Sequence, residues 1–191
     1  LVLARGLIET MKKMTLIFWS TLIAITPLQN SQAGEQAYQG QENRQIKSLS
    51  DSDIAAIENG NGWGLAKAAE LNGIPGPAHV LELQKKLNLN RDQMKKIQII
   101  WQEMNTAAKQ QGLLYLKAES DIEDYFRQKQ QDQQTLSALL KQSAQALAEL
   151  RQVHLVAHLK TRPILSNHQV MLYKKLRGYK ADSHHHHNKH H

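Results

Sequence analysis

The chain has 191 residues, a formal net charge of +7 and no cysteine, which excludes disulfides and thiolate metal sites. Aromatic residues make up only 5%, so a core has to come from helices filled by Leu, Ile, Ala and Met. No run of alternating β-branched residues supports a strand, and the expected fold class is all-α.

The first 33 residues read as upstream residues followed by a targeting segment. From Met11, Lys12 and Lys13 precede an apolar stretch over 14–25, and Ser31-Gln32-Ala33 supplies a small-x-small cleavage site before Gly34. This three-part pattern is that of a bacterial-type secretory signal peptide, and its apolar run falls short of the roughly 20 residues a membrane span needs. The expected location is the periplasm. Losing Arg5, Glu9, Lys12 and Lys13 lowers the net charge from +7 to +5. A mildly basic surface suits acidic proteins or anionic lipid, and export argues against nucleic acid. Neither a Gly-rich phosphate loop nor a Ser-His-Asp arrangement occurs, so no enzymatic activity is expected.

Residues 34–48 are polar and aperiodic, which reads as a flexible leader to a helical domain over 49–179. Ser50 then caps a helix, with Asp53 three residues on and Leu49 able to pack on Ile54, and Asn59-Gly60-Asn61-Gly62 ends it. A second short helix over 63–73 stops at Gly73 and Pro75-Gly76-Pro77, and a third runs from Ala78 to Leu87. The same start device recurs at Asn90 with Gln93, and at Ser166 with Gln169.

Two long helices lie between those starts. The first runs from Arg91 to about Gln128, with a seam at Met94, Ile97, Trp101, Met104, Ala108, Gln111, Tyr115, Ala118, Ile122 and Tyr125. After a Gln-rich turn capped by Asp132, the second runs from Gln133 to Thr161 and stops before Pro163. Its seam is Leu136, Leu140, Ser143, Leu147, Leu150, His154 and Ala157, with His158 one turn beyond His154. The last helix spans Asn167 to about Arg177 and ends at Gly178. Seams on both sides of the long pair suggest a long antiparallel hairpin, flanked by shorter helices, that forms a hooked homodimer.

Paired Leu-cap-x-x-Gln helix starts (Leu165-Ser166-Asn167-His168-Gln169, and Leu89-Asn90 through Gln93), the long pair and the exported leader resemble the CpxP/Spy family over roughly residues 76–178. Asn90 stands where that family usually has Thr or Ser, and Asn caps equally well. The His154-x-x-x-His158 element is similar to the metal-binding branch, the periplasmic sensors CnrX and ZraP. The resemblance implies that His154 and His158 bind a divalent transition metal. It further implies signalling to a membrane-bound anti-sigma factor or sensor kinase. The chaperone branch implies instead an ATP-independent holder of unfolded periplasmic clients and regulator of envelope stress, with Arg151, Lys160, Lys174, Lys175 and Arg177 supplying charge.

Counting residues from the expected turns extends the site. A turn at Gln130 and Gln131 brings His158 level with Glu103, and a turn near Leu89 brings His79 within about one turn of Glu103. His79, Glu103, His154 and His158 then suit Zn, Ni, Co or Cu, with Met104 as a softer neighbour. The other reading is a set of structural or pH-responsive core histidines. Glu119 and Glu123, farther toward the turn, read as a solvated face. The disordered tail 180–191 carries His184, His185, His186, His187, His190 and His191, which chelate metal whatever the fold. It reads either as an expression tag or as a native metal-gathering segment, the interruption at Asn188-Lys189 favouring the latter.

Overall fold

Three of the helix starts are built as their sequences dictate. Ser50, Asn90 and Ser166 each accept the backbone N–H of the residue three positions on, and the Asp53, Gln93 and Gln169 side chains return the bond. Each box satisfies two donors that a helix start leaves unpaired. In this computed structural model, which describes residues 38–179, the resulting helices are α1 (Asp51–Glu58), α2 (Lys67–Leu71), α3 (Pro77–Glu82), α4 (Arg91–Arg127), α5 (Gln133–Thr161) and α6 (Asn167–Leu176). A 3-10 turn, Arg162–Ile164, joins α5 to α6, and no strand occurs among the described residues. Contacts divide the chain after Gln39, and everything below belongs to the unit that starts at Gly40. The expected signal peptide and histidine tail lie outside the described residues. No helix among those described is long and apolar enough to cross a membrane.

The two long helices share the most extensive packing in the fold. Tyr125 Oη donates to the Asp132 carbonyl across the connecting turn, Ser143 meets Glu119 farther along, and Lys160 Nζ lies 3.5 Å from Glu103 at the far end. Two apolar clusters hold the shorter elements on this pair. One gathers Ile46, Leu49 and Ile57 against Tyr115, Leu116, Ala146 and Leu150. The other gathers Val80 and Leu87 against Ile97, Leu165, Val170 and Tyr173. Each large apolar side chain buried this way contributes roughly 1.5–3 kcal/mol before chain entropy is counted.

Several expectations are corrected. The end of the expected leader is packed: Ile46 is only 4% exposed, as is Leu49 just beyond it. Lys47 donates its backbone N–H (2.9 Å) and its Nζ (3.2 Å) to the two oxygens of Glu123, and Ser48 Oγ donates to Glu119 Oε2 at 2.9 Å. Glu119 and Glu123 are therefore anchors for the incoming chain rather than a solvated face. The third helix ends at Glu82 because the chain turns to bury Leu87, with Asn88 adopting a positive φ of 49°. Leu140, placed on the α5 seam, is 51% exposed, whereas Ala146 is buried. Gly112, absent from the α4 seam, is buried where α1 crosses. A Cβ there would lie 2.8 Å from Ile57 Cγ2 and 2.9 Å from the Ile57 carbonyl oxygen.

Candidate metal centre

His154 and His158 leave α5 one turn apart, and both are buried, 2% and 7% exposed. They continue the inward face of Leu150 and Ala157, so the helix periodicity that buries those residues also buries the imidazoles. The two rings are held differently. His158 Nδ1 lies 2.7 Å from the Ile74 carbonyl, which can only accept. Nδ1 is therefore the donor, and in the neutral ring the lone pair is then on Nε2. Gly76 permits this close approach, since a Cβ on it would sit 2.5 Å from that nitrogen. His154 Nε2 is buried with no hydrogen-bond partner. Burial, and then the neighbouring His158, push the His154 pKa below the ordinary histidine value. The ring stays neutral at neutral pH, which is the form that ligates metals.

Both imidazoles line a cavity of about 590 Å³, together with His79, Trp101 and Met104. His79 is carried there by α3, its Nδ1 2.9 Å from Glu82 and its side chain 40% exposed. Trp63, on another part of the wall, has a positive φ of 41°. Two contacts hold it: its indole N–H donates to Asp53 Oδ1 at 2.8 Å, and its ring packs against Tyr115 with centroids 6.0 Å apart.

Glu103 does not join this group. Its side chain is 61% exposed, meets Lys160, and lines a separate cavity of about 430 Å³ with Gln111 and Glu149. The residue count gave its level along α4 but not its direction, because one residue turns a helix by about 100°. His184 through His187, His190 and His191 lie outside the described residues. Among the described residues, no three His, Asp or Glu side chains stand close enough together to hold an ion as they are placed. The cavity thus presents three imidazoles, a thioether and two carboxylates around its wall rather than a closed coordination sphere.

Two carboxylates line this cavity, Glu82 beside His79 and the buried Glu70, which sits inside a short Ala-rich helix with no motif to mark it. Glu70 is 8% exposed, and its Oε1 accepts from Tyr173 Oη at 2.7 Å, Tyr179 Oη at 2.9 Å and Arg177 Nε at 3.1 Å. Its Oε2 is buried and has no partner. The burial and the bond to Glu70 push the Tyr173 pKa up, so it remains a phenol donor. A signal was present in the sequence: Tyr173, Arg177 and Tyr179 place three donors at and just beyond the end of the last helix, and a half-buried Arg needs an acceptor. Arg177, expected to lend charge to an open basic face, is instead committed to this carboxylate.

No family model, no curated protein and no solved structure matches the chain.

Proposed function

We propose that this protein binds a divalent transition metal ion, Zn(II), Ni(II), Co(II) or Cu(II), in the cavity beside His154 and His158, as a periplasmic sensor or buffer in heavy-metal resistance. The observation that carries the reading is the pairing of a buried, unpartnered His154 Nε2 with a His158 whose far nitrogen is fixed on the Ile74 carbonyl. Metal-ligating histidines commonly donate their other ring N–H to a carbonyl or carboxylate, which sets the tautomer that offers the lone pair. A bare imidazole nitrogen in the interior is costly unless a proton donor, water or ion meets it. Imidazole donors suit these metals, and His79 on the same wall supplies a third.

The elements that carry the donors also give the reading its coupling. His79 rides on α3 and the imidazole pair on α5, so an ion held by both favours the arrangement that brings them together. In this reading the long pair is an antiparallel hairpin of the CpxP/Spy type that dimerises, and the changed dimer signals to a membrane-bound anti-sigma factor or sensor kinase. The histidine tail gathers metal for the folded site.

A second reading, an ATP-independent chaperone, draws support from the solvent-facing Leu113, Leu114 and Leu159 along the long helices, 57%, 54% and 61% exposed. Isothermal titration with Zn(II) and Ni(II), in a protein whose tail histidines are changed to Gln, separates the two. His154→Ala and His158→Ala are each expected to weaken binding by about 100-fold, at or beyond the upper end of what removing an outer-shell partner costs. Unchanged affinity in both variants overturns the metal reading, and suppression of client aggregation by the same variants would favour the chaperone.

A further inference from the structure

Two buried polar atoms without a partner belong to residues that line one cavity: Glu70 Oε2 and His154 Nε2. Each belongs to a residue more than nine-tenths buried. Native interiors pair such atoms, and an electron-pair acceptor such as a metal ion is met equally by a carboxylate oxygen and by the lone pair of a neutral imidazole. The arrangement of Glu70 is that of a ligand whose second oxygen is pinned from behind. Tyr173, Arg177 and Tyr179 all converge on Oε1, none reaches Oε2, and Glu70 is among the residues that line the cavity. His158 repeats the pattern, with Nδ1 tied to Ile74 and Nε2 free. Ligating carboxylates and imidazoles are typically held this way by groups behind them.

We infer that Glu70 supplies the carboxylate of the cation site, completing with His154 and His158 a mixed nitrogen–oxygen donor set for a divalent transition metal. The inference rests on the metal reading of the histidine pair and names a ligand that the pair itself does not require. It also assigns the site an anchor to the end of the chain. Tyr173 lies on α6, and Arg177 and Tyr179 follow it, so an ion drawn onto Oε2 ties α2, α5 and the C-terminal segment together. The donors ring the cavity without meeting at a point, so binding draws α2 and α5 toward each other. Trp63 and Trp101 line the same space and report that movement.

The test uses the full-length protein with its six tail histidines changed to Gln. Glu70→Gln keeps an amide oxygen for Tyr173, Arg177 and Tyr179 but replaces the free carboxylate oxygen by an N–H₂ that cannot ligate. Zn(II) affinity, read by calorimetry, is expected to fall at least about tenfold. The visible absorption of the Co(II)-loaded protein should shift, and the metal-dependent tryptophan fluorescence change should shrink. Tyr179→Phe, which removes a donor from Oε1 alone, should leave the Co(II) spectrum in place. If His154→Ala weakens binding while Glu70→Gln changes neither affinity nor the Co(II) spectrum, Glu70 is not a ligand and the histidine reading stands without it. If neither variant alters binding, both readings fall. Should Glu70→Gln not fold, Glu70→Asp retracts the oxygen by one methylene, and an unshifted Co(II) spectrum in that variant overturns the inference.

Discussion

Two places where the N-terminal segment meets the long helices both turn on glutamates, and they end in opposite states. Near the α4–α5 turn, Glu119 and Glu123 take in the chain at Lys47 and Ser48, and all four of their carboxylate oxygens have partners. Near the other end, Glu70 and His154 each keep one buried atom without a partner, and both residues line one cavity. The first junction has every carboxylate oxygen paired, and the second leaves two buried polar atoms unpaired. A satisfied carboxylate holds a fold together, whereas a buried unsatisfied one is a cost that persists where the site has another task.

The contrast is sharpest in Glu119→Ala. Ser143, 7% exposed, and Ser48 each lose a charged acceptor. We expect about 3 kcal/mol lost in urea denaturation, at the upper end for hydrogen bonds to a charged group. Metal affinity should not change, and a parallel loss of affinity would erase the distinction between the junctions.

Gly76→Ala works on the other junction. Its methyl would fall 2.5 Å from His158 Nε2, so the ring must turn off its lone-pair direction or off the Ile74 carbonyl. Metal affinity is expected to fall by roughly tenfold to 100-fold, the range for disturbing a ligand's supporting shell. Equal affinities for the two proteins would place the ion elsewhere.

Gly112→Ala separates helix propensity from packing. In an exposed helix the change stabilises by roughly 0.5–1 kcal/mol. Here the methyl meets the side chain and carbonyl of Ile57. The expected outcome is a net loss of about 1–2 kcal/mol, as overpacking costs about 1–3 kcal/mol. Thermal denaturation that shows a gain instead would mean that α1 yields easily.

The smallest effect is in acid. Burial lowers the His154 pKa, so the unfolded chain takes up this proton at a higher pH than the folded one does. Stability from this group is whole above the ordinary histidine value, and it is lost as pH falls from there toward the folded value. The slope is at most about 1.4 kcal/mol per pH unit for one proton. Metal affinity falls over the same window, because protons compete for the nitrogen. His154→Leu should flatten the stability profile there, and an unaltered profile would remove His154 from the pH response.

The sequence by itself determined the helices. The three capping boxes, the long spans from Arg91 and from Gln133, and the inward placement of His154 and His158 all depend on contacts within four residues, and the chain order displays those directly. It also gave the level of Glu103, which meets Lys160 two residues beyond His158. Only the tertiary structure decided direction around the axis and the partners brought from far along the chain. It turned Glu103 outward and chose Gly112 as the crossing point of α1. It packed Ile46 from the expected leader, and held Glu70 with Tyr173, Arg177 and Tyr179, donors more than a hundred residues along the chain. Those outcomes follow from how side chains on separate helices fill a shared interior, and a period read along one helix carries no information about which neighbour will arrive.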